Sequence, residues 1–302
     1  MLDHHMSSDK QSRPVIFGEV LFDIFPDGSE VMGGAPFNVA WHLRAFGINP
    51  LFISRVGDDA LGHAIRDAMR QWAMDPSGLQ TDASRPTGTV KVDLHAGEPS
   101  FDIKAERAYD HIDADLLPNV SGRPLLYHGS LALRASPSRA ALAALKERSV
   151  PRPFVDVNLR APWWERESVL GLLEGASWVK INADELGTLV PEAAGPPDKA
   201  RILSERFGLR GVFVTQGAAG AFALTPGGDI LRVAPTADVP VVDAVGAGDA
   251  FASVLILALH EGWPLEQGLE RAQSFASAMV GQRGATVTDP AFYRPFVDAW
   301  GL

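Results

Sequence analysis

Val239-Pro-Val-Val-Asp243-Ala-Val-Gly246-Ala-Gly248-Asp249-Ala-Phe251 reads as a short buried strand, a glycine-rich turn, an aspartate and the start of a helix. The helix continues through Phe251-Ala-Ser-Val-Leu-Ile-Leu-Ala-Leu259, which is apolar on nearly every face and is therefore expected inside the protein. Gly246, Ala247 and Gly248 leave backbone N–H groups uncovered at the positive N-terminus of that helix, where a developing anion is favoured. Asp249 falls in the first turn, beside those donors. Phosphoryl transfer to a sugar hydroxyl requires such a pairing: one group takes the proton and several hold the phosphoryl oxygens. Taken alone, the stretch fits equally well an aspartate that helps a helix start, with glycines serving a tight turn.

Outward from this stretch the chain alternates strand and helix. Expected strands are 15–25, 51–56, 125–128, 154–157, 178–181, 212–215 and 239–242, and expected helices include 36–46, 61–72, 138–148, 199–207 and 265–280. Short apolar strands separated by amphipathic helices imply an α/β protein with a parallel sheet covered on both faces. Its site is expected at the carboxyl ends of the strands. One segment differs: Thr89-Val-Lys-Val-Asp-Leu-His95 alternates strictly, Ala96-Gly-Glu-Pro99 turns, and Phe101 and Ile103 resume the alternation. That is an antiparallel hairpin with one apolar face. With the extended segments flanking Asp27-Gly28 it forms a small sheet, over about 24–34 and 87–106. It reads either as a lid closing over a ligand or as a surface hairpin packed on the main domain.

Composition sets the limits. The 302 residues suffice for one large α/β domain, assigned to 14–302. Residues 1–13, beginning Met1-Leu-Asp-His-His-Met-Ser-Ser8, are polar, read as a disordered leader and show no signal-peptide pattern. A net charge of −10 argues against nucleic acid or an anionic membrane as partner, though not against ATP, whose phosphates backbone dipoles and a metal can meet. The absence of cysteine removes disulfides, thiolate metal sites and cysteine nucleophiles, and fits a cytoplasmic protein. No Gly-x-x-x-x-Gly-Lys loop is present, and Gly246-Ala-Gly248 lacks the third glycine of a dinucleotide fingerprint.

Two further groups of residues carry chemistry. Near the N-terminus, Asp23 stands at a strand end, followed by Gly33-Gly34-Ala-Pro36-Phe-Asn38. The glycines admit a ligand close to the backbone, and Asp23 with Asn38 supplies the carboxylate and amide that recognise a polyol. In the middle of the chain Asp156-Val-Asn158-Leu-Arg160, Lys180-Ile-Asn182-Ala-Asp-Glu185 and Thr215-Gln-Gly217-Ala-Ala-Gly220 each follow a strand. Asn182 and Glu185 offer hard oxygens to Mg²⁺, through waters, and Gly217 and Gly220 allow phosphates near backbone N–H groups.

These motifs resemble the ribokinase-like (PfkB) carbohydrate kinase family, most nearly its fructokinases. The N-terminal pattern is Gly33-Gly34-Ala-Pro-Phe-Asn38-Val-Ala, continuing to Val56-Gly57-Asp58-Asp59. The C-terminal pattern is Asp243-Ala-Val-Gly246-Ala-Gly248-Asp249-Ala-Phe251. The resemblance implies a three-layer α/β sandwich with a mostly parallel central sheet and a β-sheet lid, through which two copies can pair as a homodimer. It implies ATP and Mg²⁺ as cofactors and a sugar as substrate. Asp249 corresponds to the catalytic base, Gly246, Ala247 and Gly248 to the anion hole, and Arg160 to a cation near the transferred phosphate. Asn182, Glu185, Thr215, Gly217 and Gly220, with Gly248, correspond to the MgATP region, and Asp23, Gly33, Gly34 and Asn38 to the sugar site. Asp243, Val245, Met279, Gln282, Gly284 and Thr288 correspond to a monovalent-cation site, for which K⁺ is the candidate. Ala244 stands where Thr or Ser is common and removes a hydroxyl there. Three substrate readings remain: a ketose such as fructose, 2-keto-3-deoxygluconate, whose carboxylate Arg107, Tyr109 and Arg160 could meet, or sugar binding without turnover.

Overall fold

The computed structural model describes residues 12–95, 98–235 and 240–302. Most of the expected leader, the hairpin turn at Ala96-Gly97 and Val239 lie outside them. By contact the chain divides into two compact units, each assembled from separate stretches: 15–120, 132–149 and 286–302 in one, and 1–14, 121–131 and 150–285 in the other.

In the first unit, β1 (Val15–Phe17), β2 (Leu21–Ile24), β3 (Glu30–Gly33) and α1 (Ala35–Ala45) are followed by β4 (Leu51–Gly57), α2 (Ala60–Gln71) and β5 (Leu79–Asp82). β6 (Gly88–His95), β7 (Glu98–Ile103) and α3 (Ser136–Ser149) complete the run. β1, β4 and β5 pair in parallel. A separate four-stranded sheet runs β3-β2-β6-β7. The expected strand 15–25 is broken in two. Gly18, at φ 148°, packs so tightly that a Cβ there would lie 2.5 Å from Cγ of Pro36. The chain therefore leaves the parallel strands at Gly18 and re-enters the small sheet at Leu21. Registers Asp23↔Val31, Asp23↔Val90, Val90↔Ile103 and Val92↔Phe101 place these residues on one face of that sheet. Val90, Val92 and Ile103 are buried, while Val31 and Phe101 are exposed.

In the second unit, β8 (Leu125–His128), β9 (Arg152–Asp156), α4 (Arg166–Leu172), β10 (Trp178–Asn182), α5 (Ala183–Leu189), α6 (Pro196–Phe207) and β11 (Gly211–Thr215) alternate as the sequence implies. β12 (Ala221–Leu224), β13 (Ile230–Val233), α7 (Ala247–Glu261) and α8 (Leu265–Val280) follow, and α9 (Pro290–Trp300) returns to the first unit. β8, β9, β10 and β11 are parallel neighbours; β12 and β13 add antiparallel strands at the far side. Leu186, Leu189 and Leu203 of α5 and α6 bury against Val155, Val179, Val212 and Val214, so the apolar strand residues have helical cover. Helix α7 is buried from Ala250 to Ala258, as its composition requires.

The expected strand 239–242 does not form among its described residues. Pro240 lacks an N–H, and the N–H groups of Val242 and Asp243 both turn to one carbonyl, that of Val280, at 2.9 and 3.1 Å. Two donors sharing one acceptor make an anchor, not a ladder, and Val241 and Val242 are 75% and 61% exposed.

Candidate active site

The turn into α7 is built by Gly246. It caps the helix at φ 79°, ψ −5°, and a Cβ there would lie 2.4 Å from Cα of Ala285. No L side chain fits that space. The carboxylate of Asp243 braces the turn from below: Oδ1 accepts from Val245 N at 2.9 Å and Oδ2 from Gly284 N at 3.0 Å. Both oxygens of the expected cation ligand thus tie the 243–245 segment to the 281–285 loop. In that loop Gln282 N donates to the carbonyl of buried Met279 at 2.9 Å. Thr288, assigned to the same cation site, belongs to the other unit. Asp249 stands half-buried in the first turn of α7, at the positive end of that helix. One expectation changes here. Ala247 N–H is not uncovered, since it reaches the Ala244 carbonyl at 3.4 Å.

Beside this turn lies a charged pair that the motifs did not single out. Lys180 of β10 lies in register with Asp156 of β9, and its Nζ meets Oδ1 at 3.0 Å and Oδ2 at 2.9 Å. Both side chains are buried. The available signal was a lysine within Trp178-Val-Lys-Ile and an aspartate within Phe154-Val-Asp-Val, each costly in a buried strand unless paired.

Asn182 and Glu185 form a capping box at the start of α5. Asn182 Oδ1 accepts from Glu185 N at 2.8 Å, and Glu185 Oε2 accepts from Asn182 N at 3.0 Å. The other oxygen, Glu185 Oε1, accepts from Leu159 N at 2.7 Å. Burial raises the Glu185 carboxyl above its usual range, against the lowering effect of the Asn182 N–H and the Lys180 charge. Each oxygen keeps a second lone pair beyond these bonds, so the pair fits a hydrated Mg²⁺ held through waters. Glu185 also fixes the loop after β9, where Asn158 adopts φ 42° and its carbonyl accepts from Ser130 Oγ at 3.2 Å. Exposed Arg160 follows, its Nη1 donating to the Leu159 carbonyl at 3.1 Å.

Thr215 ends β11, and Gly217 and Gly220 turn the chain into β12 at φ 56° and 86°. The two glycines differ. A Cβ at Gly220 would lie 2.1 Å from the Val233 carbonyl oxygen, so packing within the protein already requires glycine there. Gly217 is exposed with nothing within 4 Å of a Cβ, and it keeps the open backbone a phosphate needs.

In the other unit, the half-buried Asp23 directs Oδ2 over Gly33, 3.7 Å from where a Cβ would stand. Asn38 is 4% exposed in α1, its N–H on the Gly34 carbonyl at 2.9 Å. Gly34 is explained by packing: a Cβ there would lie 2.8 Å from the Glu19 carbonyl oxygen. Tyr109 is a correction. It is completely buried, its hydroxyl accepts from Arg134 Nη2 at 3.0 Å, and burial pushes that hydroxyl's pKa up. It presents no surface to a ligand. Arg134 also pairs with Asp110 at 2.8 Å and donates to the Lys104 carbonyl at 2.6 Å, at the end of β7. Half-buried Arg107 caps the short turn 108–111, its N–H on Asp110 Oδ2 at 3.0 Å. No described helix is long and apolar enough to cross a membrane.

The sequence profile of the pfkB family carbohydrate kinases matches residues 16–291. A fructokinase of Klebsiella pneumoniae is 33% identical over 297 residues, covering 91% of this chain and 95% of its own. The fructokinase of Vibrio cholerae O395 with fructose, ADP and calcium ion bound superposes with a TM-score of 0.80 at 28% identity, over 94% of this chain and 99% of that one. A double mutant of the same enzyme, with fructose, ADP and potassium ion bound, gives a TM-score of 0.81 at 28% identity, over 95% and 99%. The α/β architecture is ribokinase-like, and the chain belongs to the pfkB family of carbohydrate kinases.

Proposed function

We propose that this chain is an ATP-dependent fructokinase, transferring the γ-phosphoryl group of MgATP to a hydroxyl of fructose. The observation that carries the substrate is the likeness to the Vibrio enzyme that holds fructose and ADP, joined to the fructokinase identity over 91% of the chain. Asp249 takes the proton of the sugar hydroxyl as its oxygen bonds to phosphorus and the bond from phosphorus to the ADP oxygen breaks. The backbone at Gly246 and Gly248 receives the phosphoryl oxygens, and Arg160 supplies an exposed cation on the loop after β9. Mg²⁺, held through waters by Asn182 and Glu185, would neutralise phosphate charge. Gly217 and Thr215 border the nucleotide. On the sugar side, Asp23, Gly33 and Asn38 read the hydroxyls.

Asp23 shares its sheet face with Val90, Val92 and Ile103, which supports the small sheet as a lid that brings a carboxylate to the sugar under apolar cover. Exposed Val31 and Phe101 on that face favour pairing of two lids in a homodimer. The cytoplasm is the compartment proposed. The second reading, 2-keto-3-deoxygluconate kinase, rests on Arg160 and Arg107, since Tyr109 is buried.

The test is ADP release from MgATP with fructose, 2-keto-3-deoxygluconate, ribose and adenosine, each with and without K⁺. Fructose turnover well above the others supports the assignment, and turnover of the keto acid alone moves the substrate to the arginines. Sugar binding without turnover of any substrate overturns the kinase reading.

A further inference from the structure

Lys180 is a buried charge that the reaction scheme above leaves unused. It stands between Val179 and Ile181, both fully buried, where an ammonium is tolerated only if paired. Asp156 supplies the pairing, and is itself held by the Tyr127 hydroxyl, which donates to Oδ2 at 3.2 Å from β8. Two of the three ammonium donors are spent on Asp156, leaving one beyond the pair.

The direction of this pair matters. A Cβ at Gly248 would lie 3.2 Å from Lys180 Nζ, and apart from chain neighbours and the helix backbone no other described atom comes within 4 Å of it. The ammonium therefore lies against the first turn of α7, while the Asp156 carboxylate stands farther off. Taken as a unit the pair is neutral, but its positive end faces the helix N-terminus. Contact with both Asp156 oxygens, at 3.0 and 2.9 Å in a buried setting, holds the lysine side chain as an ammonium.

We propose that Lys180 is a positioning residue for phosphoryl transfer. Its ammonium, aimed by Asp156 and Tyr127 at Gly248, adds a fixed positive potential to the N-terminus of α7, where charge develops on the transferring group. The inference rests on the kinase reading of that site. A preorganised charge of this kind needs no movement during the reaction and favours the transition state over bound substrate.

The experiment separates this role from a structural one. Lys180→Met leaves the Asp156 charge buried and alone, and lowers the melting temperature. The double variant Asp156→Asn/Lys180→Met removes both charges and recovers most of that loss. A purely structural pair predicts that turnover recovers with stability. The proposal predicts that kcat of the double variant stays about 10- to 100-fold down, while KM for sugar and ATP stays within about threefold of wild type. Lys180→Arg, which keeps the charge, retains more turnover than Lys180→Met.

A second readout needs no turnover: calorimetric affinity for MgADP alone, and for MgADP with aluminium fluoride, a mimic of the transferring phosphoryl group. The double variant is expected to bind MgADP as wild type does and to lose about tenfold in its affinity for the mimic. Recovery of kcat in the double variant, or unchanged affinity for the mimic, overturns the proposal. A wild type that turns over no sugar refutes the kinase reading instead, and the mimic, measured without sugar, still decides the role of Lys180.

Discussion

Gly246→Ala tests whether the turn into α7 sets the geometry of the site. The substitution meets two obstacles. At φ 79° an alanine pays the left-handed penalty of about 1–2 kcal/mol. Its Cβ would also lie 2.4 Å from Cα and 2.5 Å from Cβ of Ala285. Carbon atoms settle at about 3.5–4.0 Å, so either the 281–285 loop or the start of α7 must move by about 1 Å. Overpacking of this kind adds about 1–3 kcal/mol, and a misplacement of about 1 Å can cost on the order of 100-fold in rate. We expect a melting temperature lower by about 4 °C or more and a kcat lower by about 100-fold. Gly175→Ala is the internal control, because at φ 72° only the left-handed penalty of about 1–2 kcal/mol applies where no atom lies within 4 Å of a Cβ. Differential scanning calorimetry and an ADP-release assay read both variants. Turnover of Gly246→Ala within about twofold of wild type would refute the reasoning, since the required shift then does not reach the reacting atoms.

Two other expectations follow from buried polar groups. Tyr109→Phe removes the hydroxyl that accepts from Arg134 and leaves sugar KM unchanged, while stability falls by about 1–2 kcal/mol; a large rise in KM would restore Tyr109 to the sugar site. Asp82 has its carboxyl raised by burial but lowered further by the Ser84 N–H and hydroxyl, the Arg85 N–H and the Arg55 charge, to about 2 against 3.8 ordinarily. Its stabilisation is present above pH 3.8 and is lost as pH falls through about 2. Asp82→Asn therefore melts well below wild type at neutral pH, and the two converge in acid; a gap independent of pH would contradict the assignment.

The elements were legible wherever composition and periodicity agree. The expected helix 265–280 is α8 to the residue, and β8 matches 125–128. The breaks were not legible, because they depend on partners distant in sequence. Val241 and Val242 look like a strand, yet a strand needs a neighbour offering successive donors and acceptors, and among the described residues the N–H groups of Val242 and Asp243 share the single Val280 carbonyl. The division of 15–25 at Gly18 follows from contact with Pro36, which no local pattern reveals. β12 and β13 are no shorter than β8, at four residues each, but lie among the turn-forming Gly217-Ala-Ala-Gly220 and Pro226-Gly-Gly-Asp229, which read as loop.

The site followed the same rule. Asp249 and the Gly246 turn were legible because their chemistry is local to one stretch. Asn182 and Glu185 are legible as hard-oxygen side chains just past a strand, but that does not show that the pair caps α5 while also holding Leu159. Lys180 and Asp156 meet only through the register of β9 with β10. Gly34 and Gly220 are required by neighbouring carbonyls, whatever a ligand does.

The most direct test of the account is Asp249→Asn, a change of one atom in the first turn of α7. Turnover with fructose and MgATP should fall by about 10²–10⁴-fold, while the calorimetric affinities for fructose and for MgATP stay near wild type. Turnover close to wild type would contradict the assignment of Asp249 as the base, and with it the mechanism.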